Sequence, residues 1–322
     1  MRRLARIAVG SAALSLAAVA VMANPARAQG ASDQRAVLVT GASSGIGRKI
    51  TELLAAKGHY VYAGARKQQD IDELSAIPNV EGIRLDVTVD AEVAAAVAKV
   101  KAGGRGLHGL VNNAGVAIIA PLIEVDEKDL DFIFGVNVLG PWRVTKAFAP
   151  LLIESKGRVT TVSSISGILA GPLFGPYAMS KHAIEAYGDA LAAELQPFGV
   201  RVSLIEPGNY RSDMSKNVLA RVGDVDAEVQ DSRYERQLRG FYEMIQGDDP
   251  SPEPDAVAEA ALHALFDPNP KMRYMVVPAA RQAEVTIRQA MIELVQLNQG
   301  QEFSYDREAL VKLLDEALAR VR

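Results

Sequence analysis

Short apolar runs alternate along most of the chain with longer segments in which apolar residues recur at helical spacing. The predicted strands lie at 36–39, 60–64, 83–85, 109–111, 158–162, 202–205 and 274–277. The predicted helices lie at 47–57, 90–102, 126–137, 142–153, 177–196 and 255–266. Strands separated by helices of roughly ten to twenty residues indicate βαβ units, which place helices on both faces of a parallel sheet.

This pattern predicts one α/β domain over residues 34–280, a Rossmann-type doubly wound parallel sheet, followed by a helical C-terminal extension over residues 281–322. The extension contains two amphipathic helices. Their apolar faces contain Ile287, Met291, Leu294 and Val295 in the first, and Leu310, Leu313, Leu314, Ala317 and Leu318 in the second. Such faces pack on the domain or on a second subunit, and we expect a homo-oligomer, a dimer or tetramer. Membrane docking is less favoured, because acidic residues flank the second helix.

The first thirty residues have the layout of a secretory signal peptide. Three arginines near the start precede an uncharged stretch, 7–23, and Ala26-Arg27-Ala28 has the small-x-small pattern of a cleavage site. We therefore expect residues 1–28 to be a signal peptide and the mature protein to be periplasmic or exported, without a stable membrane span. The Arg2-Arg3 pair is a feature of twin-arginine export. A retained membrane anchor and a misassigned start codon with a cytoplasmic product are the alternatives.

Composition excludes several classes of function. The net charge is −4, whereas nucleic-acid binders are usually basic, so no nucleic-acid partner is expected. The chain has no cysteine, which excludes disulfides, thiolate metal sites and a cysteine nucleophile. Its four histidines are scattered without ligand-like spacing, so no metal is expected.

Four motifs in order carry the candidate chemistry. The first, Thr40-Gly-Ala-Ser-Ser-Gly-Ile-Gly47, lies between the first strand and the first helix. Glycines there let the backbone approach a pyrophosphate, which then meets the helix N-terminus, although a simple tight turn also accounts for a glycine-rich stretch. Asn112-Asn113-Ala114-Gly115, Ser164 and Tyr177-Ala-Met-Ser-Lys181 follow after later strands.

With these motifs in register, residues 34–280 resemble the short-chain dehydrogenase/reductase family. Segments 106–115, 181–187 and 198–208 look like those of the retinol and hydroxysteroid dehydrogenase branch. The resemblance implies hydride transfer between a nicotinamide cofactor and a small-molecule alcohol or carbonyl. The branch implies an apolar secondary alcohol or ketone, or a long primary alcohol, although specificity lies in loops.

Tyr177 and Lys181 are four residues apart and share one helix face. A nearby cation favours the phenolate and could lower the tyrosine pKa by roughly 1–3 units, which makes Tyr177 a workable acid and base. An exposed helical Tyr–Lys pair is the ordinary alternative. The resemblance implies that Ser164 hydrogen-bonds the substrate oxygen, that Lys181 also grips the nicotinamide ribose, and that Asn137 anchors a water relay to Lys181. By itself, Asn137 would be a structural residue of its helix.

The cofactor contacts follow from the motifs and the resemblance. The predicted cofactor-binding residues are Gly41, Ser43, Ser44, Gly45, Ile46, Gly47, Arg66, Asp86, Val87, Asn113, Ala114, Gly115, Tyr177, Lys181, Pro207, Gly208 and Ser212. Asp86 would hold the adenine, or would cap a turn at the end of a strand. Ser212 stands where relatives usually carry threonine and retains the hydroxyl.

The end of the second strand decides between the two nicotinamide cofactors. A carboxylate there would bind the ribose 2′-hydroxyl and repel a 2′-phosphate. The chain instead has Val61-Tyr-Ala-Gly-Ala65-Arg66, and the Arg66 guanidinium suits a phosphate. The sequence therefore favours NADP(H), with NAD(H) possible. Arg66 could also be an ordinary surface charge.

Other functions remain open at this point. The same fold could serve as a nucleotide sensor or scaffold without turnover, but the intact Asn137, Ser164, Tyr177 and Lys181 set argues against it. An epimerase or dehydratase of the extended branch would usually carry Gly-x-x-Gly-x-x-Gly in the first loop. Residues 209–250 would form a substrate lid that is largely polar, so a polar substrate is not excluded. The candidates for an apolar pocket wall are Phe241, Tyr242, Met244 and Ile245.

Overall fold

In the computed structural model the protein is described from residue 34 to residue 320. The predicted signal peptide, residues 1–28, lies outside the described residues. Seven parallel strands form one sheet in the order β3-β2-β1-β4-β5-β6-β7. The strands are β1 (Ala36–Val39), β2 (Tyr60–Ala65), β3 (Val80–Arg84), β4 (Gly109–Asn112), β5 (Arg158–Val162), β6 (Arg201–Pro207) and β7 (Arg273–Val276).

Helices follow nearly every strand and cover both faces of the sheet. They are α1 (Gly45–Ala56), α2 (Gln68–Ser75), α3 (Asp90–Ala102), α4 (Glu127–Asn137), α5 (Leu139–Glu154), α6 (Gly175–Leu195), α7 (Met214–Val222), α8 (Val225–Val229), α9 (Glu235–Gln246), α10 (Asp255–Phe266), α11 (Ala280–Asn298) and α12 (Arg307–Arg320). Every predicted strand and helix is present, with ends shifted by at most three residues. The doubly wound Rossmann-type fold with a helical extension is confirmed.

The central strands are apolar along their whole length because both of their faces are covered. Leu38 in β1 pairs with Tyr62 in β2 on one side and with Leu110 in β4 on the other, and all three are fully buried. Strands buried on both faces lose the alternation of polar and apolar positions. This is why β1 and β4 appear in the sequence as unbroken apolar runs.

Alternate residues of the strands enter two separate core layers. One layer packs α1, α2 and α10 against the sheet through residues such as Ile50 and Leu265. The other packs α3, α5 and α6 against the opposite face through residues such as Val144 and Phe148. Because both layers are filled, the free edge for ligands is the row of loops at the carboxyl ends of the strands.

The sequence pattern missed four helices. In α2 only Ile71 and Leu74 are buried, too few to show a helical period in an otherwise polar stretch. The predicted lid, residues 209–250, contains α7, α8 and α9, which enclose a small core of their own around Val229 and Tyr242. The helix α9 does carry apolar residues at helical spacing, Leu238, Tyr242 and Ile245, within an otherwise charged segment, whereas α7 and α8 are short.

In the described part of the chain, the C-terminal helices contact the domain only at the start of α11, and most of their apolar faces are exposed. Ile287, Met291 and Leu294 of α11 are about half exposed, and α12 has no buried residue. Only Thr286 of α11 is buried, and its hydroxyl donates to the carbonyl of Gln282 one turn earlier at 2.7 Å. No helix within residues 34–320 combines the length and the apolar character needed to cross a bilayer.

Candidate active site

The strand order reverses between β1 and β4, and the loops that follow these two strands diverge to opposite faces of the sheet. In open α/β sheets this divergence creates a crevice at the carboxyl ends of the strands, where ligands bind. The glycine-rich loop follows β1 and the Asn112-Asn113-Ala114-Gly115 segment follows β4. The first two predicted motifs therefore face each other across the crevice.

Close backbone contacts explain the glycines of the first loop. Gly41 has φ +63°, and a Cβ added there would lie 2.8 Å from Cα of Ala114. A Cβ on Gly47 would lie 2.3 Å from Nδ2 of Asn113 and 2.3 Å from the carbonyl oxygen of Gly41. Side chains larger than hydrogen would push the two loops apart at these positions.

Hydrogen bonds from the second motif fasten the first loop. Asn113 Nδ2 donates to the main-chain carbonyls of Thr40 and Gly41, at 3.0 Å in each case. Thr40 Oγ1 accepts from the main-chain N–H groups of Asn113 and Ala114, also at 3.0 Å. Asn112 turns the other way and donates from Nδ2 to Thr145 Oγ1 at 2.9 Å. Both asparagines therefore hold the sheet edge and its loop in one conformation.

The N-terminus of α1 is arranged to receive an anion. Ser44 is the N-cap residue, but its side chain makes no capping hydrogen bond, and the first turn contains no acidic residue. The adjacent Ser43 and Ile46 are only partly buried. Free N–H groups and the positive end of the helix dipole therefore face the loop.

Arg66 and Asp86 lie at the carboxyl ends of β2 and β3. Arg66 is exposed and makes no hydrogen bond or ion pair within residues 34–320. Asp86 Oδ1 accepts from the main-chain N–H of Thr88 at 2.9 Å and from its hydroxyl at 2.6 Å. Although burial opposes ionisation, these bonds and the nearby Arg66 hold the pKa of Asp86 below its usual range. Asp86 thus forms a turn after the strand, which is the alternative role predicted for it. Its second oxygen, Oδ2, takes part in neither of these hydrogen bonds.

The neighbour of Asp86 is part of the core. Val87 is buried, and a Cβ added to Gly140 in α5 would lie 2.7 Å from its Cγ2. The main-chain carbonyl of Val87 accepts from Arg143 at 2.7 Å. Its side chain packs in the core and its carbonyl is bonded to Arg143, so neither group is free to contact a ligand.

Ser164 and Tyr177 bring their hydroxyls together between β5 and α6. Both residues are at least nine-tenths buried. Ser164 Oγ accepts from the main-chain N–H of Ser166 at 3.0 Å, so its own hydrogen is free to be donated. Burial raises the pKa of Tyr177, and a hydrogen bond from Ser164 acts in the opposite direction. The expected lowering by Lys181 is not found, since burial and the Ser164 hydrogen bond are the influences on this hydroxyl.

Lys181 lies one turn after Tyr177 with its side chain buried. Its Nζ donates to the carbonyl of Val162 at 3.0 Å and lies 5.6 Å from the centre of the Tyr177 ring. Burial lowers the pKa of Lys181 to about 8, and the charge of Glu185 opposes that change. A Cβ on Gly115 would lie 3.9 Å from Nζ, which places the second motif beside this amine.

Asn137 ends α4 and is fully engaged with protein atoms. Its Oδ1 accepts from the N–H of Val116 at 2.8 Å, and its Nδ2 donates to the Val116 carbonyl at 2.9 Å and to Ser180 Oγ at 3.0 Å. Ser180 donates in turn to the carbonyl of Tyr177 at 2.7 Å. The side chain of Asn137 therefore ties the loop after β4 to the first turn of α6, and sequence reasoning missed the part that Ser180 plays.

The loop after β6 closes the far side of the crevice. A Cβ on Gly45 would lie 3.2 Å from Cβ of Ser212, so this loop meets the glycine-rich loop directly. Gly208 follows Pro207, and its N–H donates to Val276 at 2.8 Å. Gln282 of α11 accepts the N–H of Asn209 through Oε1 at 3.0 Å. No sequence signal connected Gln282 with a loop more than seventy residues earlier.

The lid contributes an apolar side chain at the start of α6. Phe241 of α9 makes an edge-to-face contact with Phe174, at 5.4 Å between ring centres. Tyr242 is instead fully buried inside the lid, and Met244 is 66% exposed. Of the predicted wall residues, Tyr242 therefore packs inside the lid and does not line the crevice.

The chain matches the short chain dehydrogenase family over residues 35–223. It is 33% identical over 264 residues to the mitochondrial D-beta-hydroxybutyrate dehydrogenase of Rattus norvegicus, covering 76% of this chain and 77% of that protein. It is 33% identical to Retinol dehydrogenase 16 of the same organism, covering 74% and 79%. It is 35% identical to the NADPH-dependent 3-dehydrocapnine reductase of Ornithobacterium rhinotracheale, covering 76% and 88%.

Solved structures agree with these relatives. A short chain dehydrogenase from Burkholderia cenocepacia in complex with NADP superposes with a TM-score of 0.62 at 26% identity, over 80% of this chain and 95% of that one. A short chain dehydrogenase/reductase from Burkholderia phymatum in complex with NAD gives a TM-score of 0.66 at 27% identity, over 82% and 95%.

The protein is therefore a member of the short-chain dehydrogenase/reductase family, as its motifs predicted, and it is an oxidoreductase. The predicted likeness to retinol dehydrogenases is confirmed.

Proposed function

We propose that this protein is an NADP(H)-preferring oxidoreductase that interconverts an alcohol and a carbonyl, with Tyr177 as the acid and base. The observation that carries the proposal is the meeting of the Ser164 and Tyr177 hydroxyls beside the buried amine of Lys181. These three groups can bind one oxygen atom, move one proton and supply one positive charge. A sensor or scaffold would need none of them.

Tyr177 performs the proton transfer. Because burial raises its pKa, the hydroxyl stays protonated at neutral pH and is ready to donate when a carbonyl is reduced. In the opposite direction it takes the proton of the alcohol. A bound nicotinamide cofactor supplies or accepts the hydride.

Ser164 and Lys181 support that transfer. The Ser164 hydroxyl, already accepting from Ser166, donates its hydrogen to the substrate oxygen and so places that oxygen against Tyr177. The Lys181 ammonium stabilises the phenolate that Tyr177 becomes after giving up its proton. Asn137 holds α6 and the loop after β4 in place around them.

The crevice fits a dinucleotide. The loop around Gly41 and Gly47 leaves no room for side chains, the Ser44 hydroxyl is not used as a cap, and no carboxylate lies in the first turn of α1. Such a helix N-terminus binds a pyrophosphate. Ser212, Gly208 and Gly115 would hold the nicotinamide end, and Asp86 the adenine end.

The preference for NADP(H) rests on Arg66. This guanidinium follows β2 without a hydrogen-bond partner in the described structure, and β2 ends without a carboxylate. The relative named an NADPH-dependent reductase supports the same choice.

Apolar side chains in and near the lid favour an apolar substrate. Phe174 and Phe241 meet just before the start of α6, the helix that carries Tyr177, and Leu122 lies against Gly175 in the first turn of that helix. Retinol and hydroxybutyrate dehydrogenases among the relatives act on alcohols by name. An apolar secondary alcohol or ketone fits these walls.

A substrate panel tests the proposal. The wild-type chain and Tyr177→Phe are assayed with steroids, retinoids, short-chain ketones and sugars by the change in nicotinamide absorbance. We expect turnover on an apolar member, and a loss of roughly 10²–10⁴-fold in Tyr177→Phe with nucleotide affinity nearly intact.

The surface tyrosine Tyr305 provides a matched Tyr→Phe control, which should keep full activity. Turnover of Tyr177→Phe within a few-fold of wild type would remove Tyr177 as the acid and base. Tight nucleotide binding with no turnover on any substrate would favour the sensor.

We also propose that the protein is exported, and that it forms a homo-oligomer. The support is the arginine-led apolar leader ending at Ala26-Arg27-Ala28, and the exposed apolar faces of α11 and α12. N-terminal sequencing of the native protein should give Gln29, and light scattering of the purified protein a dimer or tetramer. A start at Met1 or a monomer would reject the corresponding proposal.

A further inference from the structure

A cluster of acidic residues surrounds one arginine behind the candidate active site. Arg273 of β7 donates from Nε to Glu185 Oε2 at 3.0 Å and from Nη2 to Asp189 Oδ2 at 2.9 Å. Glu206 of β6 places Oε1 3.3 Å from the same Nε. Three carboxylates thus share one guanidinium, and the cluster would carry a net charge of about −2 if all were ionised.

Two of these carboxylates are removed from water. The side chains of Glu185 and Glu206 are 12% and 4% exposed, whereas that of Asp189 is 58% exposed. Oε1 of Glu185 and Oε1 of Glu206 are buried and accept no hydrogen bond in the described structure. The two side chains lie within hydrogen-bonding range of each other. Like charges at this distance in a buried site cannot both be ionised without a large cost, so a proton between them is favoured.

One member of the pair, Glu185, shares a helix with the active-site amine. Glu185 is four residues after Lys181 on α6, so the two side chains lie on one helix face, and the charge of Glu185 acts on Lys181. The other charged groups acting on the cluster in the described residues are Asp189 and Arg273. The turn Ile165–Gly167, packed against β6, contributes no titratable side chain.

We propose that Glu185 and Glu206 share one proton and together act as a positioning pair that keeps the Lys181 ammonium charged beside Tyr177. The proton resides on Glu206 and is donated to Glu185, whose carboxylate supplies the negative charge. This proposal rests on the proposed function, in which the ammonium stabilises the Tyr177 phenolate. It assigns a role to two residues that the motifs do not include.

Titration gives the pair a defined pH range. Burial and the neighbouring Glu185 raise the pKa of Glu206 to about 7, while Lys181 titrates at about 8. Glu206 therefore holds its proton up to about neutral pH, and its ionisation at higher pH adds a second negative charge to the pair. That charge extends the pH range over which the ammonium persists.

The first test is the pH profile of kcat/KM. In Glu185→Gln the alkaline limb should move to lower pH by roughly one unit, because the nearest negative charge is gone. In Glu206→Gln the amide still donates to Glu185, so the limb should move less. The matched control is Asp189→Asn, which alters the exposed contact of the same arginine and should leave the limb in place.

The second test needs no turnover. Difference infrared spectra of the wild-type chain across neutral pH should show the carbonyl stretch of a protonated carboxylic acid, and Glu206→Gln should lose that band. Asp189→Asn should retain it. This measurement separates failure of the proton-sharing pair from failure of the proposed function, which would appear as absent turnover in the wild type.

The outcomes are distinct. An alkaline limb in Glu185→Gln that coincides with the wild type, or a wild-type spectrum without the acid band at neutral pH, would overturn the proposal. Circular dichroism confirms that each variant folds. If Glu185→Gln does not fold, Glu206→Gln and the infrared band still decide.

Discussion

The proposed preference for NADP(H) over NAD(H) depends on one side chain, Arg66. It lies exposed at the carboxyl end of β2, and its charge contributes to the low pKa of Asp86 at the end of the neighbouring strand β3. A guanidinium in this position can form two charge-assisted hydrogen bonds with a phosphate, whereas it has little to offer a ribose hydroxyl.

Arg66→Ala should therefore weaken NADPH binding by about 1.5–3 kcal/mol, roughly ten- to a hundred-fold, and leave NADH almost unchanged. Calorimetric titration with both nucleotides measures the difference. Lys67→Ala removes the adjacent exposed cation and serves as the control, with both affinities preserved. Equal losses for the two nucleotides in Arg66→Ala would show that the guanidinium does not meet the 2′-phosphate.

At the scale of elements, the loop after β1 and the segment after β4 behave as one unit. Each fastens the other through Thr40 and Asn113, and neither glycine at their contact can carry a side chain. Disturbing one contact between them should therefore affect both nucleotide binding and folding.

Gly47→Ala tests this coupling, since the new methyl group would meet Asn113 Nδ2 and the Gly41 carbonyl, each at 2.3 Å. We expect nucleotide affinity to fall at least ten-fold and the free energy of unfolding to fall by about 1–3 kcal/mol, the usual effect of overpacking. Gly240→Ala in α9, where an added Cβ meets nothing within 4 Å, is the matched control. It should be neutral or slightly stabilising. Unchanged binding and denaturation in Gly47→Ala would mean that the loops are not rigidly joined.

The strands and helices that the sequence predicted correctly are those whose own residues form a clear apolar pattern. The buried strands β1 and β4 and the long helix α6 have continuous apolar or helical patterns, and the motif residues lie at their ends, so the positions of Gly41, Ser164 and Tyr177 followed directly. The polar helix α2 and the lid helices α7, α8 and α9 have one or two buried residues each, in segments that are otherwise polar. Ser180, Gln282 and Glu206 act through contacts between distant segments, which no local pattern contains.

At the scale of the whole molecule, a second set of titratable groups lies at the amino ends of the strands, opposite the candidate active site. His59 stacks on Phe266 with ring centres 3.7 Å apart, and His108 lies 5.0 Å from the same ring. Burial lowers the pKa of both histidines, and Arg35 lowers both further, while a bond to Leu265 partly opposes this for His108. The folded state therefore prefers both rings neutral.

Stability should consequently fall as the pH drops below about 6.5, because the unfolded chain binds these protons before the folded one does. Urea denaturation of the wild type between about pH 7 and about pH 5.5 measures the slope, and His59→Gln/His108→Gln should show a shallower one. Glu206 has the opposite effect on stability, because its raised pKa makes the folded state bind a proton more readily than the unfolded state. The wild type and the double histidine variant both contain Glu206, so its effect cancels when their slopes are compared. Parallel slopes would show that the histidines are not the cause.

The bond between Gln282 and the loop after β6 bears on how this chain can be handled in the laboratory. The first turn of α11 supports Asn209 and reaches Gly208, and the same loop meets Gly45 through Ser212. A shortened form ending after β7 would lose that support and weaken a loop that faces the nucleotide crevice. An affinity tag belongs after α12, and a minimal catalytic fragment needs at least the opening turns of α11.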